Sequence, residues 1–143
     1  MNPENQRRTV LVVDDEPAIR ELLKLHLANG GYHVLLAEDA VVGGRMLLER
    51  RPDLLIIDAH LPYLSGIDFV ATLIADQSLP AMPVVFITGR EELSARAHAL
   101  ADECLVKPFL ATELLAVIER LLGRNRFPSA PARSAAGAAP RAA

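Results

Sequence analysis

The chain has 143 residues, with 15 basic against 18 acidic side chains and a formal net charge of −3. That length suits one compact domain and excludes two of ordinary size, while a composition 51% apolar and 23% charged excludes global disorder. No apolar run nears the ~20 residues of a membrane helix, Val10–Val13 run straight into Asp14-Asp15 without forming a secretory leader, and one cysteine excludes an internal disulfide, so a soluble cytoplasmic protein is expected.

Short apolar runs alternate with amphipathic stretches. Thr9–Val13 reads as a first strand, followed by a helix over 17–28 that Pro17 opens, that carries Ile19, Leu22, Leu23 and Leu27 at helical spacing, and that Gly30-Gly31 closes. His33–Ala37 is the second strand. The helix over 39–50 follows Asp39, a natural cap, and ends before Pro52. Leu54–Ile57 precedes a helix over 66–76 bearing Ile67, Val70, Ala71 and Ile74. Val84–Ile87 precedes a shorter, more polar segment at 91–100, and Glu103–Val106 precedes a helix over 111–122 with Leu114, Val117, Ile118, Leu121 and Leu122 on one side. With aromatics at 4% and no Trp, the core must be aliphatic. Five βα units predict an α/β fold, a doubly wound parallel sheet with helices on both faces. Five strands favour the flavodoxin-like order 2-1-3-4-5.

Charge is unevenly spread. Residues 1–123 hold 11 basic and 18 acidic groups, a net −7, whereas 124–143 hold Arg124, Arg126, Arg133 and Arg141 and no acid. From Pro128 onward Ala supplies 8 of 16 residues, with three prolines set against a helix. A folded body over 8–123 and a flexible Ala/Pro/Arg-rich tail over 124–143 are expected. Four arginines with a single aromatic, Phe127, give no strong nucleic-acid or membrane signal.

The polar residues at strand ends carry the chemistry. Asp14 and Asp15 follow the first run, Asp58 the third, Thr88 the fourth and Lys107 the fifth. In a parallel sheet these positions open onto one C-terminal edge, where ligands bind. A lone strand-end aspartate is an ordinary turn residue; three carboxylates, a hydroxyl and a lysine on one edge form a set. Crowded carboxylates need a cation between them, and hard oxygen ligands suit Mg2+. A carboxylate beside Mg2+ can accept a phosphoryl group, with Thr88 and Lys107 serving its oxygens. The residues thus point to a Mg2+-dependent site that gains or loses phosphate at Asp58.

VLVVDDEPAIR, DLLIIDAHLPYLSGIDFV, VVFITGR and CLVKPF together resemble the four signature blocks of bacterial response-regulator receiver domains, over roughly residues 8–122. The resemblance implies that Asp58 takes phosphate from a histidine kinase or phosphotransfer protein. It implies that Asp14, Asp15, Asp58 and the main-chain carbonyl of His60 hold Mg2+, or Mn2+ in its place. Thr88 and Lys107 would follow the phosphoryl oxygens, Lys107-Pro108 would be cis, and small Gly89 would keep the site open. It further implies a phosphoacceptor rather than an enzyme, signalling by protein contact or relay to a downstream protein through the fourth helix, fifth strand and fifth helix. Because no output module follows residue 123, a stand-alone receiver is expected.

Two departures stand out. Cys104 occupies the switch position where receivers usually carry Tyr or Phe, and the stretch from Thr88 to Lys107 is short, with Ala-Leu-Ala-Asp replacing a Gly-containing turn. Cys104 reads first as a small buried hydrophobe and only second as a redox group. His60 and Arg90 are candidate tuning and gate residues; His26, His33 and His98 show no metal-ligand spacing. Two further readings stay open: the receiver part of a DNA-binding regulator, and a receiver-like interaction module that does not switch. A phosphatase of haloacid-dehalogenase type usually sets its nucleophile and acid two residues apart on one strand, and Asp58-Ala59-His60 lacks that second acid.

Overall fold

The computed structural model describes residues 7–77, 79, 81–89 and 95–123. The tail, Arg90 and the start of the fourth helical segment lie outside the described residues.

The elements run β1 (Thr9–Val13), α1 (Pro17–Asn29), β2 (His33–Ala37), α2 (Ala40–Arg50), β3 (Leu54–Asp58), α3 (Gly66–Ala75), β4 (Val84–Thr88), α4 (Ala95–Leu100), β5 (Glu103–Val106) and α5 (Ala111–Leu122). All four strand pairings are parallel and the order is β2-β1-β3-β4-β5. The expected fold class and strand order are therefore those of the structure. β3 and β4 each run one residue further than the apolar runs, to Asp58 and Thr88, because ladder pairing uses the backbone and Asp58 and Thr88 still lie opposite Ile87 and Val106.

The central strands are apolar at successive positions because both faces are covered. Leu11, Val13, Leu55, Ile57 and Phe86 point to the side of α2, α3 and α4, where Leu47, Phe69, Val70 and Ala97 meet them. Val10, Val12, Leu54, Ile56, Val85 and Ile87 point the other way, onto Leu23 and Leu27 of α1 and Leu114 and Ile118 of α5. Each such aliphatic side chain, fully buried, contributes about 1.5–3 kcal/mol. α2 lies close to the sheet: a Cβ added at Gly43 would come within 2.9 Å of Val13 Cγ2.

Caps follow local chemistry. Asp39 accepts the Val42 N–H at 2.9 Å, and Ser65 accepts that of Asp68 at 3.1 Å. Glu113 reaches back to the Leu110 N–H at 2.8 Å. At the N-terminal edge two aspartates form matching clips. Asp53 donates its N–H to Thr9 O at 2.8 Å and accepts the Thr9 N–H on Oδ2 at 2.7 Å. Asp102 repeats this with Val84, at 2.8 Å in both directions. The Asp of the Ala-Leu-Ala-Asp stretch thus fixes the start of β5 against β4.

Candidate phosphoacceptor site

The opposite edge gathers the charged residues. Asp14 follows β1, with its N–H donated to Ala37 O at 3.1 Å and only 1% of its surface exposed. Asp58 and Thr88, the last residues of β3 and β4, are also buried. Lys107 follows β5 and is fastened to Thr88 through the main chain, its N–H donating to Thr88 O at 2.6 Å.

The side chain of Lys107 reaches the centre of the group. Its Nζ lies 3.2 Å from Asp58 Oδ2, 3.4 Å from Asp14 Oδ2 and 3.0 Å from Glu16 Oε1. Asp58 Oδ1 accepts the His60 N–H at 2.7 Å, and Asp14 Oδ1 accepts that of Glu16 at 2.9 Å. Among the described residues Asp14 Oδ2 is buried without a hydrogen-bond partner and meets the Lys107 ammonium as an ion pair. Arg20 braces the turn from below by donating to the Asp14 carbonyl at 2.7 Å.

The structure brings Asp14, Asp58, Thr88 and Lys107 to one edge and brings an unexpected acid with them. The carboxylate oxygens of Asp14, Glu16 and Asp58 lie within 4.8 Å of one another, whereas Asp15 is exposed and outside that group. The chain turns directly after β1, with the Glu16 N–H closing onto Asp14 Oδ1, and this turn sets the Glu16 carboxylate beside that of Asp14. The signal in the sequence was Glu16 immediately before Pro17, the first residue of α1. The contact His60 makes with Asp58 is its N–H.

Burial disfavours the ionised form of Asp14 and raises its pKa, against the opposing Glu16 N–H and Lys107 charge. Burial alone would pull Lys107 down. The Glu16 hydrogen bond and the charges of Asp58 and Asp14 outweigh it and hold the ammonium above the usual lysine value. Three carboxylates around one ammonium leave an excess of negative charge, and among the described residues Asp14 Oδ2 has the Lys107 ion pair but no hydrogen bond. An all-oxygen set with this excess charge fits a hard divalent cation.

The loop after β3 is tightly packed, while the described residues leave open space beside Gly89. A Cβ added at Gly66 would sit 2.1 Å from the Asp58 carbonyl oxygen, so the loop after β3 folds directly onto it, and Gly66 donates its N–H to Ala59 O at 3.1 Å. A Cβ at Gly89 would meet nothing within 4 Å. The Lys107-Pro108 bond is cis. Cys104, half-buried in β5 opposite Phe86, packs against the α2, α3 and α4 side. Burial, and then the charge of Glu103, push its thiol up, which favours packing over thiolate chemistry.

A family model for the response regulator receiver domain matches residues 10–119. The chain belongs to this family. Among curated relatives, the receiver is 34% identical over 121 residues to the phosphate regulon transcriptional regulatory protein PhoB of Pseudomonas aeruginosa, covering 82% of this chain and 53% of PhoB. It is 38% identical over 120 residues to the response regulator MprA of Mycobacterium tuberculosis, covering 82% and 51%. The chain thus spans about half the length of the curated relatives it matches. Among solved structures, it superposes with a TM-score of 0.73 and 32% identity on the response regulator TrrA of Thermotoga maritima, solved with Mg2+ and BeF, covering 80% of this chain and 99% of that one. The receiver domain of a Pseudomonas aeruginosa sensor histidine kinase, with magnesium in its active-site cleft, gives 0.74 at 25% identity, covering 82% and 99%. Among the described residues, no helix is long and apolar enough to cross a membrane. This receiver is a member of the two-component response regulators, whose acidic cluster fits a phosphoacceptor site.

Proposed function

We propose that Asp58 is the phosphoacceptor of a Mg2+-dependent receiver, taking its phosphoryl group from the phosphohistidine of a sensor histidine kinase or phosphotransfer protein. The observation that carries this reading is Lys107 Nζ held between Asp58 Oδ2 and the buried Asp14 Oδ2, with which it forms ion pairs. Asp14, Asp58, the exposed Asp15 and the His60 carbonyl would hold Mg2+ or Mn2+. Bound there, the ion would neutralise charge on the transferring oxygens. The Asp58 carboxylate attacks phosphorus, the P–N bond breaks, and its electron pair leaves with the donor imidazole. The His60 N–H orients the carboxylate for this attack. Lys107 pairs with one equatorial oxygen and the Thr88 hydroxyl donates to another, stabilising charge as it spreads in transfer.

In this reading the protein is a phosphoacceptor that assists its own transfer and hydrolysis, working in the cytoplasm and signalling to a downstream protein by contact or relay. Residues 8–123 form the receiver. Cys104, lacking an aromatic ring, leaves the α4 and β5 surface without the rotamer change usual at the switch position. Labelling with a small acyl phosphate tests the site: wild-type protein takes up phosphate with Mg2+ and loses that capacity on chelation. Label that persists in Asp58→Ala, or fails in the wild type with Mg2+, overturns the mechanism. A second reading, the receiver part of a DNA-binding regulator, is supported by the name of PhoB and by a match to about half its length. Reading the coding sequence past Ala143 decides it.

A further inference from the structure

We infer that Glu16 is a positioning residue for Lys107: it keeps the ammonium at the pocket rim when a divalent cation takes the two buried carboxylates. The inference rests on the metal site of the preceding section and goes beyond it, because Glu16 is assigned no ligand role there. Lys107 Nζ sits among three carboxylates, with Glu16 the nearest at 3.0 Å. The three differ sharply in environment: the Asp14 and Asp58 side chains are 1% and 8% exposed, and that of Glu16 is 59% exposed.

A cation drawn to Asp14 Oδ2 and to Asp58 meets the ammonium already there. Two like charges cannot share those oxygens at contact distance without strong repulsion. Lys107 must yield its two buried partners, and among the described residues the third carboxylate at its Nζ is Glu16. A flexible, water-exposed carboxylate at the rim can follow the ammonium through that displacement. Without it Lys107 has nowhere to go but solvent, or back onto Asp58.

The sign of the effect on metal binding follows. Neutralising Glu16 removes a negative charge near the site and leaves Lys107 leaning harder on Asp14 and Asp58. Both consequences weaken cation binding, and the second acts only through Lys107. A direct ligand or a simple charge at position 16 would act whether or not Lys107 were present.

Mn2+ titration of the metal-free protein, read by the electron paramagnetic resonance of free Mn2+, separates these cases in a double-mutant cycle. Glu16→Gln is expected to weaken Mn2+ binding by up to about fivefold, the upper range for one exposed ion pair. In a Lys107→Met background the same substitution is expected to change affinity by less than about twofold, since nothing remains to position. An equal loss in both backgrounds would make Glu16 a direct ligand or a through-space charge and overturn the inference, as would no loss in either. Asp14→Asn tests the underlying site separately: Mn2+ binding that survives it unchanged sinks the metal-site reading itself. Circular-dichroism melts of each variant confirm that folded protein is being titrated.

Discussion

At Gly66 an absent side chain fixes the site. The position cannot take even a methyl group, because the Asp58 carbonyl oxygen occupies the space a Cβ needs. Gly66→Ala therefore forces the loop away from β3, and we expect it to destabilise the protein by about 1–3 kcal/mol in urea unfolding, the usual cost of overpacking. Acyl-phosphate labelling should slow as well, because that loop carries the His60 N–H bonded to Asp58. Individual site residues were legible to unequal degrees. Asp14, Asp58, Thr88 and Lys107 stand out because polarity appears abruptly where an apolar strand ends. Glu16 does not: in Asp14-Asp15-Glu16 all three residues are acidic, and only the path of the backbone selects the first and third. The reciprocal roles of Asp53 and Asp102 were equally hidden, since an aspartate before a strand looks like any turn residue.

Elements were easier to read than their ends. The burial of both sheet faces leaves continuous apolar runs, so strand existence and order followed directly, while β3 and β4 outran those runs by one functional residue each. α4 is the least anchored helix on its own account, with Ala97 its one fully buried residue among those described. It is tied to α3 by Arg96, which donates to Asp68 Oδ1 at 2.7 Å. The Arg96 hydrogen bond, and then that from Ser65, hold the Asp68 carboxyl below its ordinary value. A lowered carboxyl pKa stabilises the fold above the ordinary value of about 3.9, and that help disappears as pH falls through the lowered one. Amide exchange of residues 95–100, corrected for intrinsic rates, should therefore show protection at pH 6 that declines toward pH 3. Asp68→Asn should already show the weaker protection at pH 6, and its decline toward acid should be shallower.

For the molecule as a whole, the acid edge is a stability cost held for chemistry. Asp14 has a raised pKa, so at neutral pH its folded, ionised form is less favourable than the same group in the unfolded chain. That penalty fades as pH falls through the raised value. Asp14→Asn should accordingly raise the melting temperature of the metal-free protein at pH 7. Mg2+ should raise the wild-type melting temperature by mass action, with about 2.7 kcal/mol available at 100 times its dissociation constant. Asp14→Asn should lose that increment. Calorimetric melts with Mg2+ and with chelator check both halves, and a variant less stable than wild type in chelator contradicts the first.

The two aspartate clips carry a mechanical consequence. Each ties the first residue of one strand to its neighbour: β3 to β1 through Asp53 and Thr9, and β5 to β4 through Asp102 and Val84. A pull entering from α5 reaches β5 at the Lys107 end, where the Lys107 N–H to Thr88 O bond bears it first. Peeling would then travel down the ladder and stop at a two-bonded hinge. Such a pull would therefore part the charged edge before the far edge, where the clips hold the strands in register.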